Sequence, residues 1–139
     1  MSEAQNKEVA RRFSAELWGE GNVALADQLL APDLVDHSLM SPDMSGREGH
    51  KQMLAQFRAA FPDLKVTVDD VIAEGSMACV LWHGDGTNSG ELMGIPATGK
   101  TVHVTGMELL RLENGQIKER WAEFGMFALM MQLGVIPAP

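Results

Sequence analysis

Apolar residues recur at helical spacing near the start of the chain. Val9, Phe13 and Leu17 follow one another at intervals of four, which places them on one face of an α-helix. Ser2 followed by Gln5 is a capping box, a pairing that satisfies free backbone N–H groups at a helix start. The pattern predicts an amphipathic helix that buries this stripe.

Two more helices and a short strand are predicted before the pattern changes. A short helix ends at Pro32, and Leu34–His37 is typical of a brief strand. Ser45 with Glu48 forms a second capping box, and the helix that follows carries Phe57 on its apolar face.

From Leu64 onward, apolar and polar residues alternate, as in Leu64, Val66 and Val68, which indicates strands. Asn114-Gly115 is a strong two-residue hairpin turn. These signals predict a meander of four antiparallel strands and a last helix. The predicted ranges are 64–69, 77–87, 101–112 and 117–125 for the strands and 127–133 for the helix.

Helices gathered on one face of an antiparallel sheet define the α+β class. The length of 139 residues suits one domain, and we predict a single domain over residues 1–139. In it, a curved antiparallel sheet wraps around the N-terminal helices as a cone-shaped α+β barrel with an internal pocket.

The hairpin turn also predicts which side chains share a face. If Glu113 pairs with Gln116, regular pairing puts Glu108 opposite Trp121 and brings Glu123 to the same face. This face is far more apolar than the other and is predicted to line the pocket. Its apolar members are Val102, Val104, Leu110, Leu112, Ile117 and Trp121.

Two carboxylates on an apolar face are the sharpest chemical signal in the sequence. Burial and mutual repulsion make it unfavourable to ionise both, so one could act as a general base while the other stays protonated. The alternative is that Glu108 or Glu123 pairs with a cation such as Arg47 or Arg58, or lies at the wet rim of the pocket.

Further candidates come from the early strand and the meander. His37 is either an acid, base or orienting group, or a core histidine bonded to the backbone. Trp82 and Asn88 share the inward parity of their strand, and Asn88 is either a donor to a substrate carbonyl or a turn residue. His50 is predicted to be exposed and without a role. The predicted catalytic residues are Glu123, His37, Glu108 and Asn88.

Composition narrows the classes of partner. The net charge is −8 without a lysine or arginine cluster, which argues against nucleic acid and anionic membranes. The single Cys79 cannot form an internal disulfide and fits a reducing compartment, so we predict a cytoplasmic location. The four histidines lack metal-ligand spacing, and no metal site is predicted.

Several elements together resemble the SnoaL-like polyketide cyclase, or ester cyclase, family. They are the Asp36-His37 pair and the motifs FPDL, GT-x-x-G, GIP-x-TG and W…QLG, and the likeness runs from about Asn6 to Gly134. The resemblance implies the nuclear-transport-factor-type cone fold, commonly as a homodimer packed through the outer sheet face, and chemistry without a metal or organic cofactor. It also implies ring closure by intramolecular aldol condensation, in which an aspartate in the last strand removes an acidic α-proton.

The chain departs from the family pattern at two positions. Gly125 stands where an aspartate usually follows the tryptophan by four residues, and Asn88 stands where the pattern often reads GTH. Glu123, two residues before Gly125, is therefore the substitute candidate base. The glycine can mean relocated chemistry, a changed reaction or loss of catalysis.

The expected function is cofactor-independent acid/base chemistry on a small hydrophobic, polyketide-like carbonyl substrate, such as an aldol-type cyclisation or a related isomerisation. The alternatives are an epoxide hydrolase, dehydratase or hydroxylase in the same fold, or a small-molecule-binding module without catalysis. The predicted substrate-binding residues are Trp121, Trp82, Leu110, Val104, Gly125, Phe57 and Phe13.

Overall fold

The computed structural model describes residues 2–38 and 44–139. Helix α1, Glu3–Arg12, begins at the predicted capping box. Ser2 Oγ accepts a hydrogen bond from the Gln5 backbone N–H at 3.1 Å, and Gln5 Oε1 accepts one from the Ser2 N–H at 2.8 Å. The first predicted helix start is thus confirmed.

A π-helical segment, Phe13–Trp18, continues directly from α1. Its wider turn is closed by the Gly19 N–H, which donates to the carbonyl of Ser14 at 3.0 Å. The segment buries Phe13, Ser14 and Leu17. Such π-helical turns are rare overall, but many of those known occur at functional sites. This one carries Ser14 and Trp18, which line the cavity described below.

The remaining elements follow the predicted order. The other helices are α2, Leu25–Leu29, α3, Gly46–Ala60, and α4, Met126–Leu133. The strands are β1, Leu30–Asp36, β2, Lys65–Glu74, β3, Met77–Thr87, β4, Thr101–Glu113, and β5, Gln116–Phe124. In the part of the chain that the structure describes, no helix is long and apolar enough to cross a membrane.

Three features differ from the prediction. Strand β2 continues to Glu74, past the predicted end at residue 69. Strand β1 contains Pro32 instead of starting after it, which is possible because β1 lies at the edge of the sheet. Ser45 precedes α3 in an extended conformation, but its side chain makes no capping hydrogen bond, so the second capping box is not formed.

Within the described residues, five strands form one mixed sheet in the order β1-β5-β4-β3-β2. Strand β1 is parallel to β5, and the other neighbours are antiparallel. Helix α1 packs on β2 and β3, and α3 packs on β1. The α+β class is confirmed, although the sheet is open and not a closed barrel.

A β-bulge in the β4–β5 hairpin decides which side chains face the helices. The turn pairs Glu113 with Gln116 as predicted, but Arg111 pairs with Glu119, which leaves Lys118 as an extra residue on β5. One extra residue reverses the facing of every side chain beyond it.

The prediction that Trp121 and Glu123 lie on the inner face of the sheet is wrong for this reason. Both lie on the outer face of the sheet, opposite exposed residues of β4. The positions of β5 that do face inward after the bulge are Arg120, Ala122 and Phe124.

Thiol labelling tests this register. In a Cys79→Ser background, Glu123→Cys is expected to react with a thiol reagent in the native protein, because the residue is exposed. Leu110→Cys is the buried control, at 0% exposure, and is expected to react only through unfolding. Mass spectrometry gives both rates. Equal protection of the two cysteines would contradict the bulge.

Candidate active site

A cavity of about 330 Å³ lies between the inner sheet face and the helices. This volume is within the range of small-molecule pockets. Its apolar lining comprises Trp18, Met53, Phe57, Phe61, Leu64, Val66, Trp82, Gly84, Val102, Val104, Ala122, Phe124, Met126 and Leu129. Its polar lining comprises Ser14, His37, Ser38, Asp85, Glu108, Arg120 and Glu123.

Exposure divides the polar lining into two groups. Glu108, Arg120 and Ser14 are buried, whereas Asp85 and Glu123 are exposed at the rim. Electrostatic interactions are stronger in a low-dielectric interior than in water, so they are strongest at Glu108, Arg120 and Ser14.

Arg120 joins two buried carboxylates. Its Nε donates to Glu108 Oε1 at 2.8 Å, and its Nη1 donates to Asp36 Oδ2 at 2.8 Å. Burial alone would lower the pKa of the guanidinium, but the charges of Glu108 and Asp36 outweigh burial and raise it. The planar fork of arginine suits it to hold both partners at once.

A second chain of hydrogen bonds extends from Asp36 into the helices. His50 Nδ1 lies 3.3 Å from Asp36 Oδ2, and the Trp18 indole N–H donates to His50 Nε2 at 3.0 Å. Because the indole can only donate, Nε2 must accept, so the hydrogen is on Nδ1 and the ring is neutral. Burial also lowers the pKa of His50, in agreement with a neutral ring.

Asp36 is held as a carboxylate. Burial by itself would raise its pKa, but the hydrogen bond from His50, the charge of Arg120 and the backbone N–H of Ser38 together lower the pKa to about 2. The two carboxylates, the guanidinium and the neutral His50 form a connected polar group in an otherwise apolar interior.

Glu108 presents this group to the cavity. Its Oε1 is held by Arg120, while the described residues offer its Oε2 only the Ser14 hydroxyl, at a long 3.4 Å. A buried carboxylate oxygen with a free lone pair can accept a proton from a bound molecule. This is the clearest acid/base group that the arrangement offers.

His37 borders the cavity at its rim, with 42% of its side chain exposed. Its ring stacks on Trp121 at 4.7 Å, and its Nε2 lies 2.6 Å from Glu119 Oε2. The hydrogen bond with His37, followed by that from Arg111, lowers the pKa of Glu119. His37 is thus tied to the outer sheet face as well as to the cavity.

The structure places six of the predicted site residues in the cavity wall, namely Glu108, His37, Trp82, Val104, Phe57 and, at the rim, Glu123. Asn88 is not among them. Its amide donates to the Gly90 carbonyl at 2.8 Å, and its Oδ1 accepts from the Thr98 N–H at 2.9 Å. Asn88 therefore fastens a loop, which was the alternative interpretation.

Other predicted ligand contacts lie outside the cavity wall. Phe13 is fully buried beneath the polar group, with the Arg120 guanidinium 6.0 Å from its ring centre. Leu110 belongs to the same core, and Gly125 precedes α4. Trp121 faces outward, opposite Leu109.

Arg120, Asp36 and His50 were missed as site residues. Regular alternation from the Asn114-Gly115 turn would put Arg120 on the outer face, because it ignores the bulge. His50, predicted to be exposed, is only 1% exposed. The sequence does contain a signal for the bulge. Ile117 and Phe124 are both apolar but seven residues apart, and strict alternation cannot turn both of them inward. Two apolar residues of opposite parity in one strand are a reason to expect a bulge.

Across residues 2–38 and 44–139, no group of three or more His, Cys, Asp or Glu side chains is placed to hold a metal ion. The apolar chamber lies between the sheet and the helices of an α+β fold and has a buried carboxylate on one wall, an arrangement typical of small-molecule pockets. The model of the SnoaL-like polyketide cyclases matches residues 8–133, and the chain belongs to this family.

Solved structures agree with this assignment. TsrD from Streptomyces laurentii is 26% identical, with a TM-score of 0.88 and coverage of 98% of this chain and 99% of that one. A protein of Jannaschia sp. CCS1 described as a SnoaL-like polyketide cyclase is 28% identical, with a TM-score of 0.85 and coverage of 97% and 95%. AclR from Streptomyces galilaeus, described as a hydroxylase, is 27% identical, with a TM-score of 0.85 and coverage of 99% and 86%. No curated protein matches the chain.

Acid titration tests the buried group. The pKa of Asp36 is about 2 in the folded chain against 3.8 ordinarily, so on acidification the unfolded chain takes up the proton first. Stability is therefore present above about pH 4, and about 2 kcal/mol of it should be lost between about pH 4 and pH 2. Urea unfolding across this range measures the loss.

Two variants make this titration specific. Asp36→Asn should lack this part of the pH dependence, whereas the exposed Asp33→Asn should keep it. The same acid dependence in Asp36→Asn and in the parent chain would contradict the assignment.

Proposed function

We propose that this chain is a cofactor-independent enzyme that performs acid/base chemistry on a small hydrophobic carbonyl compound, with Glu108 as the base. The observation that carries the proposal is the Oε2 of a buried carboxylate in the wall of an apolar cavity, which accepts only one long hydrogen bond, from Ser14, among the described residues. Membership of the SnoaL-like polyketide cyclases supports the reaction class.

In the proposed reaction, Glu108 Oε2 removes a proton from the carbon next to the substrate carbonyl. The electron pair of the broken C–H bond moves onto the carbonyl oxygen and forms an enolate. Arg120 acts as a positioning residue, because it holds Oε1 and leaves Oε2 directed to the ligand. The enolate carbon then attacks a second carbonyl to close a ring, and the alkoxide that forms takes the proton back from Glu108. If the enolate is conjugated with a C=C bond, Glu108 instead returns the proton to the far carbon of that system, which completes an isomerisation.

This assignment moves the base away from the last strand. Gly125 supplies no side chain at the usual aspartate position, and Glu123 is exposed on the outer face. Glu108 is on the neighbouring strand β4, opposite Ala122, and faces the cavity. These positions favour one interpretation of Gly125, namely that the base has moved to another strand of the same cavity.

A second reaction is compatible with the same carboxylate. A water molecule held by Glu108 Oε2 could be activated to open an epoxide, and similarity to AclR, described as a hydroxylase, makes oxygen chemistry worth testing. Diol formation from a bicyclic epoxide would favour this reaction over enolate chemistry.

Deuterium exchange tests the base without knowledge of the natural substrate. The chain is expected to accelerate incorporation of deuterium at the α-carbon of 2-tetralone in D₂O, followed by NMR. Because a positioned base contributes about 10²–10⁴-fold, Glu108→Gln should lose about that factor.

Glu123→Gln is the matched control and should exchange at the parent rate, since the residue is exposed at the rim. If the two variants exchange equally fast, Glu108 is not the base. If the parent chain gives no acceleration although 2-tetralone binds, binding without catalysis becomes the better description.

We also propose that the chain forms a homodimer through the outer sheet face. One apolar row crosses four strands in register, from Ile72 through Cys79 and Leu109 to Trp121. Beside it lie Leu81 and Met107, and the exposure of Met107 reaches 53%. A continuous apolar patch of this kind is typical of an interaction surface. Regular alternation without the bulge would put Phe124 on this outer face as well, but Phe124 lines the cavity.

Sedimentation velocity tests the dimer. Met107→Glu places a charge in the patch and is expected to give monomers, while the parent chain sediments as a dimer. Thr101→Glu, exposed at the end of the same strand and outside the patch, should remain dimeric. A monomeric parent chain would refute the proposed interface.

A further inference from the structure

The indole N–H of Trp82 is a buried donor that the described residues leave unpaired. Trp82 lines the cavity, and its Nε1 has neither a hydrogen-bond partner nor exposed surface. Unpaired buried donors are unfavourable and rare in folded proteins, so each one requires an explanation.

The other polar groups deep in the cavity are already engaged. The Trp18 N–H is bound by His50, and the Ser14 hydroxyl donates to Glu108. The Ser38 hydroxyl donates to the Ala122 carbonyl at 2.9 Å and accepts from its N–H. Among these groups of the described residues, the unused donor is the Trp82 N–H and the most open acceptor is Glu108 Oε2.

A glycine lets the indole lie flat on the sheet beside Glu108. Trp82 pairs with Gly106 across β3 and β4, and a Cβ added at Gly106 would lie 2.7 Å from Cε2 of the indole, the carbon bonded to Nε1. Gly106 and Glu108 are two residues apart on the same face of β4, a separation of about 7 Å along the strand. The free donor and the free carboxylate oxygen therefore belong to adjacent positions of one wall.

We infer that the Trp82 N–H binds the acceptor oxygen of the ligand while Glu108 faces the neighbouring carbon. This pairing selects a ligand whose carbonyl oxygen is adjacent to an acidic C–H, and it discriminates against a hydrocarbon of the same shape. Because Nε1 is covered in this structure, the hydrogen bond requires the ring to tilt toward the chamber when the ligand enters. The part assigned to Glu108 depends on the proposed function, whereas the hydrogen bond from Trp82 does not.

An indole NMR titration tests the hydrogen bond directly. The chain, labelled with ¹⁵N at its three tryptophans, is titrated with 2-tetralone and separately with tetralin, which has the same bicyclic frame without the carbonyl. The Trp82 Nε1–H signal is expected to move downfield with 2-tetralone and not with tetralin. The Trp18 signal, already bonded to His50, is the internal control and should not show this downfield change.

Substitution of Trp82 measures how strongly its N–H favours 2-tetralone over tetralin. Trp82→Phe keeps an aromatic ring and removes the N–H, so affinity for 2-tetralone should fall about tenfold relative to that for tetralin, the scale of one hydrogen bond. Trp121→Phe, on the outer face, is the matched control and should keep the parent preference.

Two outcomes would overturn the inference. One is a Trp82 signal that stays in place at saturating 2-tetralone, and the other is an unchanged preference in Trp82→Phe. Repeating the titration with Glu108→Gln separates this inference from the proposed function. A retained downfield shift in that variant supports the Trp82 donor even if deuterium exchange fails, and a lost shift contradicts its independence from Glu108.

Discussion

The interior of this protein depends on one guanidinium placed between two buried carboxylates. The side chains of Asp36, Glu108 and Arg120 are all less than a tenth exposed, and Arg120 contacts both carboxylates at 2.8 Å. Without the cation, two negative charges would remain in an apolar core, which is far more costly than losing an exposed ion pair. The same contacts leave one oxygen of Glu108 directed to the cavity, so the cation that neutralises the buried carboxylates also orients the group that we propose as the base.

The bulge at Lys118 brings this arrangement about. By adding one residue to β5, it turns Arg120 inward and Trp121 outward. The cavity thereby gains its cation, and the outer face gains an aromatic residue beside the exposed Met107 and Leu109. The single bulge in β5 therefore determines both the polar group of the cavity and the apolar patch on the outer face.

Local patterns in the sequence predicted much of this fold. The capping box at Ser2, the apolar stripe that continues from α1 into the π-helical segment, and the Asn114-Gly115 turn can all be predicted, because each depends on residues close together in the chain. The same holds for the motifs of the SnoaL-like polyketide cyclases, which indicated a cone fold. Glu108 was found because its strand is regular as far as the turn. Arg120 was not, since a bulge depends on how two strands fit together, and the partnership of Asp36 with His50 joins segments that no local pattern connects.

A double-mutant cycle between Glu108 and Arg120 tests the central claim most directly. The free energies of unfolding of Glu108→Gln, Arg120→Met and the double variant are compared with that of the parent chain by urea denaturation. If Arg120 neutralises Glu108 inside the core, the double variant should be less destabilised than the sum of the single variants, with a coupling of about 2 kcal/mol or more. A coupling below about 0.5 kcal/mol would mean that the two residues act independently, and the account of the site would fail.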